Sequence, residues 1–273
     1  MALTAMDQDR SATIPSPAGR DSPGGFTELE LGGWTVRRYG TVPSTQDIAA
    51  GLPAWTAVAA DIQTAGRGQR ERRFTSDRGG LYVTAVVPFD GDAALWRGFA
   101  LAVGWTIVSI FRVHGIARLR LRWPNDLMNG AGKVGGILVT QGRRDTLCVG
   151  VGLNVNNRPW AEDPGLRSRA GRLADLARAE RLAFEPLATA LLGAVQLAHA
   201  SFSLRGLGGF SGRLNRSWGG PRAVRLELAP GGQAPEVRGI FRGILANGDL
   251  VIEDGRGLRM VVRSHLVRRL EEC

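Results

Sequence analysis

The chain has 273 residues, 44% of them hydrophobic, with 35 Lys and Arg against 25 Asp and Glu for a formal net charge of +10. That length supports one large folded unit and one small one, each with its own core. Two cysteines and three histidines, none at ligand spacing, exclude a disulfide framework and a structural zinc site, and no run nears the roughly 18 apolar residues of a membrane span.

The first 33 residues are rich in Ser, Pro, Gly and Asp and lack the apolar core of a secretory signal, so residues 1–33 read as a disordered leader of a cytoplasmic protein. "WTVRRYG" then reads as a strand. In "PSTQDIAAGL" Ser44 or Thr45 can cap a short helix that Gly51 ends. "TAVAADIQ" is a second strand, followed by the polar Gly/Arg loop "TAGRGQRERRFTSDRGG" and by the strand "LYVTAVVP", stopped by Pro88. "AALWRGFALAVGWTIVSIFRVHG" has helical length and spacing. "RLRLRWP" alternates with period two, as a half-solvated strand does. "KVGGILVT" and "TLCVGVGLNV" are apolar strands separated by "QGRRD", and helices are expected at "RAGRLADLARAE", "FEPLATALLGAVQLAHASFS" and "GFSGRLNRSW". Residues 34–220 therefore predict an α+β unit, a mixed sheet with flanking helices. From 221 to 273 four or five short strands alternate with Gly-rich or Asn-Gly turns, the pattern of a small β-barrel.

Three stretches can carry chemistry. "GRG" at 66–68 sits in a loop where glycines allow close backbone approach and arginines offer planar donors to phosphate or carboxylate. It is neither a Walker loop nor a dinucleotide fingerprint, because no Gly-Lys-Ser/Thr and no helix follows. In "WPND…K…GGIL", Asn125 and Asp126 fall in a turn, Lys133 opens the next strand, and Gly135 and Gly136 lie just inside it. Lys133 is the only lysine in the chain, and an ammonium is a compact charge that a forked guanidinium does not replace. The third stretch, "GVGLNVN", ends a strand in amide side chains that can read the edge of a heterocycle.

Together these stretches resemble one family. "STQ" at 44–46, "QTAGRG" at 63–68, "RWPNDL" at 122–127, "KVGGIL" at 133–138 and "GVGLNVN" at 150–156 occur in the order found in the biotin protein ligases. The resemblance runs from about residue 34 to 270, and it implies a C-terminal SH3-like barrel. With no room for the helix-turn-helix domain of the repressor type, it also implies a ligase that does not bind DNA. The reaction implied is the ATP- and Mg²⁺-dependent formation of biotinyl-5′-AMP. Transfer of biotin to a lysine of a biotin carboxyl carrier protein follows. The resemblance places Ser44, Thr45, Gln46, Gln63, Gly135 and Gly136 against biotin. It places Arg67, Gly68, Gln69, Arg70, Asn125, Lys133 and Asn154 around ATP or the adenylate. Lys133, Arg67 and Asp126 are the catalytic candidates. No protein-held metal site, nucleic acid or membrane partner is implied, and the expected state is a monomer or weak homodimer.

The family's loop typically reads Gly-Arg-Gly-Arg-x-Gly-Arg, whereas this chain reads "GRGQRER", with Gln69 in place of an arginine and Glu71 in place of a glycine. One cation fewer and one anion more beside a phosphate site predict looser retention of the adenylate. The rival readings are a lipoate or octanoate ligase or transferase of the same fold, and a pseudo-ligase that binds biotin without transfer. A nucleic-acid-binding module is not supported, since few aromatics interleave with the basic residues.

Overall fold

The computed structural model describes residues 20–21, 25–69, 72–89, 91, 96–130, 132–143, 145–161, 163–177, 182–229 and 235–273. Nine strands build one mixed sheet: β1 (Arg20–Asp21), β2 (Phe26–Leu31), β3 (Trp34–Val42), β4 (Thr56–Gln63), β5 (Leu81–Pro88), β6 (Leu119–Arg122), β7 (Asp126–Asn129), β8 (Gly132–Gln141) and β9 (Thr146–Leu153). Their order is β1-β2-β3-β4-β5-β9-β8-β7-β6. The β3–β4 pair is parallel, joined across α1 (Thr45–Ala49), and the other neighbours are antiparallel.

Alternation along the strands gives the sheet two unlike faces. Ala57, Ala59, Val83, Ala85, Val149, Val151 and Leu153 point to a large core shared with α2 (Phe99–Val113) and α3 (Phe184–Arg205). The alternate residues Val58, Val86 and Cys148 form a small cluster with Ala49 of α1 on the other face. Period two also places β6: Leu119 and Leu121 are buried, while Arg120 and Arg122 are turned the other way. α3 has the length and hydropathy to cross a membrane. It packs instead against α2 and β5, with residues such as Leu191 and Val195 fully buried.

After α4 (Gly208–Ser217), five strands form a second, antiparallel sheet: β10 (Arg222–Leu228), β11 (Glu236–Ile244), β12 (Leu250–Glu253), β13 (Arg259–Val262) and β14 (Val267–Glu272). Their order is β13-β12-β11-β10-β14. This is the expected small SH3-like unit as a sheet. Among the described residues no ladder joins β13 to β14, so the barrel is not closed. Its inner residues Val224, Leu226, Phe241 and Ile252 join the same core as the main sheet. Two side chains of the α4 region make the connection. The Asn215 amide bonds both the N–H and the C=O of Ile244 (2.9 and 3.0 Å), and Trp218 Nε1 donates to Leu121 O at 2.6 Å.

Two expectations change. Order starts before Trp34: β2 lies inside the expected leader, paired along its length with β3. Among the described residues of "RAGRLADLARAE" the expected helix is a single 3-10 turn, Leu173–Leu176. The N–H groups of Leu173 and Ala174 donate to Asn154 and Val155 carbonyls, so that backbone is spent on the strand exit and not on a helix.

Candidate active site

On the face opposite α2 and α3, one row of cross-strand neighbours runs Ala60, Tyr82, Gly152, Gly136, Asp126, Arg122. The next row runs Val58, Thr84, Gly150, Leu138. Glycines therefore occupy the middle of both rows and leave bare backbone, flanked by hydroxyls on one side and charges on the other. A cavity of about 690 Å³ lies over this strip.

One end of the cavity is an uncharged polar cluster. Ser44 caps α1 by accepting from the Gln46 N–H at 3.3 Å, as the Ser-Thr-Gln sequence predicts. The cap turns the next two side chains into the cavity. Gln63 Oε1 accepts from the Thr45 N–H (2.9 Å) and hydroxyl (3.1 Å), and Gln63 Nε2 donates to Ser76 Oγ at 2.9 Å. Thr45 and Thr84 hydroxyls meet at 2.9 Å. Gln46 Nε2 donates to Thr140 Oγ1 (2.7 Å) and to Cys148 O (3.1 Å), and its Oε1 accepts from Thr84 at 3.1 Å. Ser44, Thr45 and Thr84 are at most 4% exposed, whereas Gln63 and Thr140 are half-buried. Burial also pushes the Cys148 thiol up to about 11, so it stays protonated behind this cluster. The Tyr82 phenol is raised by burial first and by Asp77 second, and it donates to Asp77 O at 2.7 Å.

The other end is charged. Asp126 accepts from Arg122 on Oδ2 (2.7 Å) and from Lys133 on Oδ1 (2.6 Å). Two cations therefore share one carboxylate, which leaves net positive charge facing the bare strip. A Cβ on Gly136 would sit 3.5 Å from Lys133 Nζ, so the ammonium stands directly beside that glycine. Lys133 is fixed from behind. Its N–H donates to Arg169 O (2.7 Å) and its C=O accepts from Gly171 (2.9 Å), which also brings Ser168 and Arg169 to the cavity wall.

The Gly/Arg loop closes a third side. Its two arms pair through bridges at Gln63–Ser76 and Arg67–Arg73, with Gly68 N–H donating to Arg72 O at 2.7 Å. The expected polar loop is thus a short ribbon. Arg67 is ion-paired with Asp47 of α1. The Phe74 ring lies over Gly152, where a Cβ would come within 2.8 Å of it. The fourth side is β14 and its flanks, residues 267–273, with Arg222.

Of the residues singled out in the sequence, Ser44, Thr45, Gln46, Gln63, Arg67, Gly68, Gln69, Asn125, Asp126, Lys133 and Gly136 line this one cavity. Gly135 and Asn154 are not in its wall. Gly135 faces β9, where a Cβ would meet Gly152 O at 2.1 Å, so close strand packing demands glycine there. Asn154 is 4% exposed and spends its amide on Gly171 O (3.1 Å) and Asn157 (3.3 Å). Asn125 reaches the wall but donates to Ile137 O at 2.8 Å, bracing β8. Arg70 and Glu71 lie outside the described residues. Sequence reading missed Phe74, Tyr82, Thr84, Gly150, Gly152, Arg169 and the β14 wall. The period-two placement of Tyr82 and Thr84 within "LYVTAVVP", and of Gly150 and Gly152 in "GVG", was a usable signal. Nothing local marks β14.

Residues 40–156 match the biotin/lipoate A/B protein ligase family. The biotin–[acetyl-CoA-carboxylase] ligase of Mycobacterium tuberculosis is 32% identical over 250 residues, covering 85% of this chain and 88% of that protein. The chain belongs to this family. The bifunctional ligase/repressor BirA of Salmonella typhimurium is 29% identical over 208 residues, 74% of this chain. The aligned part spans only 63% of that relative's length. The biotin protein ligase of Aquifex aeolicus, solved with biotin and ATP, superposes with a TM-score of 0.74 at 24% identity, over 87% of this chain and 99% of that one. Membership of the biotin/lipoate family accounts for the mixed sheet and for the order of the motifs.

Proposed function

We propose that the protein is an ATP-dependent biotin ligase. It forms biotinyl-5′-AMP and pyrophosphate, then transfers biotin to a lysine of a biotin carboxyl carrier protein of acetyl-CoA carboxylase or a related carboxylase. The observation that carries this reading is the bare strip of Gly152, Gly150 and Gly136 between an uncharged hydrogen-bonding pocket and a cationic end. That layout matches a ligand with a polar ring at one end, a slim chain in the middle and a carboxylate at the other. The family also covers lipoate, whose dithiolane head offers no N–H or C=O. Thr45, Gln46, Gln63 and Thr84 already pair with one another and with neighbouring protein atoms, and their spare lone pairs would gain no hydrogen bond from such a head. This favours the ureido ring of biotin.

In the first step a biotin carboxylate oxygen bonds to the α-phosphorus of ATP and the bond to pyrophosphate breaks. Lys133, beside Gly136, would follow the carboxylate and an α-phosphate oxygen as charge moves between them. Asp126 holds that ammonium in place, and Arg122 holds Asp126. In the second step an amine bonds to the acyl carbon and AMP leaves with the bonding electrons. Arg67 and Gly68 on the ribbon would cover the adenylate and exclude water. Mg²⁺ belongs to this scheme as the chelate of ATP. Among the described residues no three His, Cys, Asp or Glu side chains cluster, and Asp126 already takes a cation on each oxygen. The triphosphate would therefore carry the ion.

A cytoplasmic monomer or weak homodimer without a nucleic-acid partner completes the proposal. The test is pyrophosphate release from Mg-ATP with biotin or lipoate, followed by transfer to a carrier domain. Release with biotin alone and a mass gain on the carrier lysine are expected. Release with lipoate but not biotin would sink the reading. In the same assay Gln69→Arg is expected to slow escape of the adenylate a few-fold, by restoring a cation to the ribbon.

A further inference from the structure

Like Gln63, whose Oε1 is fixed by the Thr45 main-chain N–H, Gln46 makes side-chain bonds within the protein that all have a defined direction. Cys148 O is a main-chain carbonyl and can only accept, so the atom 3.1 Å from it must be the amide nitrogen. The second amide hydrogen goes to Thr140 Oγ1 at 2.7 Å, the shorter of the two contacts. Neither Thr140 nor Cys148 is in the cavity wall; both stand behind Gln46. With the nitrogen held there, Oε1 faces the other way. It takes the Thr84 hydroxyl at 3.1 Å and lies where a Cβ of Gly150 would be, 2.4 Å from that point. The cavity is thereby offered a carbonyl oxygen with a lone pair to spare, and never the amide N–H₂.

We propose that Thr140 is a positioning residue for ligand specificity: Cys148 O sets which way the Gln46 amide faces, and Thr140, by accepting the second Nε2 hydrogen, holds it there so that Oε1 accepts a ring N–H of the ligand. This rests on the biotin reading of the site, and it adds which polarity the pocket demands and which residue outside the pocket sets it. Removing the Thr140 hydroxyl leaves one Nε2 hydrogen against a methyl group. The amide is then held by Cys148 O alone and pivots about that bond, and the oxygen shifts from its place above Gly150.

The experiment is calorimetric binding of biotin and of two cyclic carbamates, each with one of the ring N–H groups replaced by oxygen. The proteins are the wild type, Thr140→Val and Thr140→Ser, with melting temperatures recorded alongside. Thr140→Val is expected to weaken biotin by about 10- to 100-fold. Thr140→Ser stays within about threefold of wild type. One carbamate, the isomer lacking the N–H that meets Gln46, binds wild type weakly and loses little more in Thr140→Val. In adenylation the valine variant raises KM for biotin and leaves kcat within about twofold, because Lys133 and its partners are untouched. Equal losses for biotin and both carbamates, or no loss of biotin in Thr140→Val, would overturn the proposal. Wild-type protein that binds no biotin would overturn both this inference and the function it rests on.

Discussion

The two faces of the nine-stranded sheet are built from the same strands and obey opposite rules. On the helix side, β5 and β9 present Val83, Ala85, Val149 and Val151, all at most 2% exposed. One residue along, the same strands present Tyr82, Thr84, Gly150 and Gly152 to the cavity. Side chains fill space on the first face, and on the second they are withheld at Gly150 and Gly152. Gly135 and Gly136 put the contrast into two adjacent residues. The first is glycine because β9 presses against it; the second leaves bare backbone beside Lys133, where the proposed function would have the ligand chain pass.

The sharpest way to break this comparison is to damage one face and watch the other. Phe111→Ala, in the helix-side core, should cost about 3–5 kcal/mol in denaturant unfolding. Biotin affinity of the remaining folded protein should be unchanged; a matching loss of affinity would mean the faces are not independent. Lys133→Arg is the converse. Adenylation should fall about 100-fold, from loss of a positioned donor to developing charge, while the unfolding midpoint stays put. Intact pyrophosphate release would show that the lone lysine is an accident of composition. Next come the paired substitutions Gly135→Ala and Gly136→Ala. The former should lose about 1–3 kcal/mol by overpacking. The latter, with only ordinary contacts to Lys133, should keep its stability and raise KM for biotin. Reversed results would exchange the two assignments.

The smallest effect lies away from both faces, in the second sheet. Glu253 is hydrogen-bonded by Arg242 and approached by Arg259, and the Arg242 bond chiefly holds its carboxyl below the ordinary value of 4.5. A folded-state value below the unfolded one favours the fold above about 4.5 and loses that effect as pH falls through the folded value. Glu253→Gln should therefore flatten the acid limb of a stability–pH curve slightly. Stability at low pH should change little and stability near neutrality should fall slightly, because glutamine resembles the protonated carboxyl. An unchanged acid limb would remove Glu253 from the account.

Much of this was legible in the chain. Strand patterns located β3 to β6, β8 and β9, and the Ser-Thr-Gln cap and "RWPND…K…GG" brought most of the cavity together; β7 was not seen, because Asp126, expected in a turn, opens that strand and pairs with Arg122 and Gly136. What escaped was set by distant partners. The Leu173 turn is not a helix because Asn154 and Val155 carbonyls claim its N–H groups. Asn154 is not in the wall because Gly171 and Asn157 claim its amide. Gly135 and Gly136 look alike in sequence, and only strand pairing assigns them to different faces. The β14 wall arrives from more than a hundred residues downstream of Lys133, carried there by contacts such as Trp218 to Leu121.

The Lys133–Asp126 pair has one more consequence. A mixed anhydride reacts with whatever amine reaches it, and guanidinium groups are far poorer nucleophiles than lysine amines. A chain whose cations are all arginine but one would offer an activated acyl group almost no side-chain amine to acylate. The one it has is held against a carboxylate at 2.6 Å. On the proposed function, the protein that makes the activated acyl group would thus be among the worst targets for it. An incoming carrier lysine would meet little competition from the surface that surrounds it.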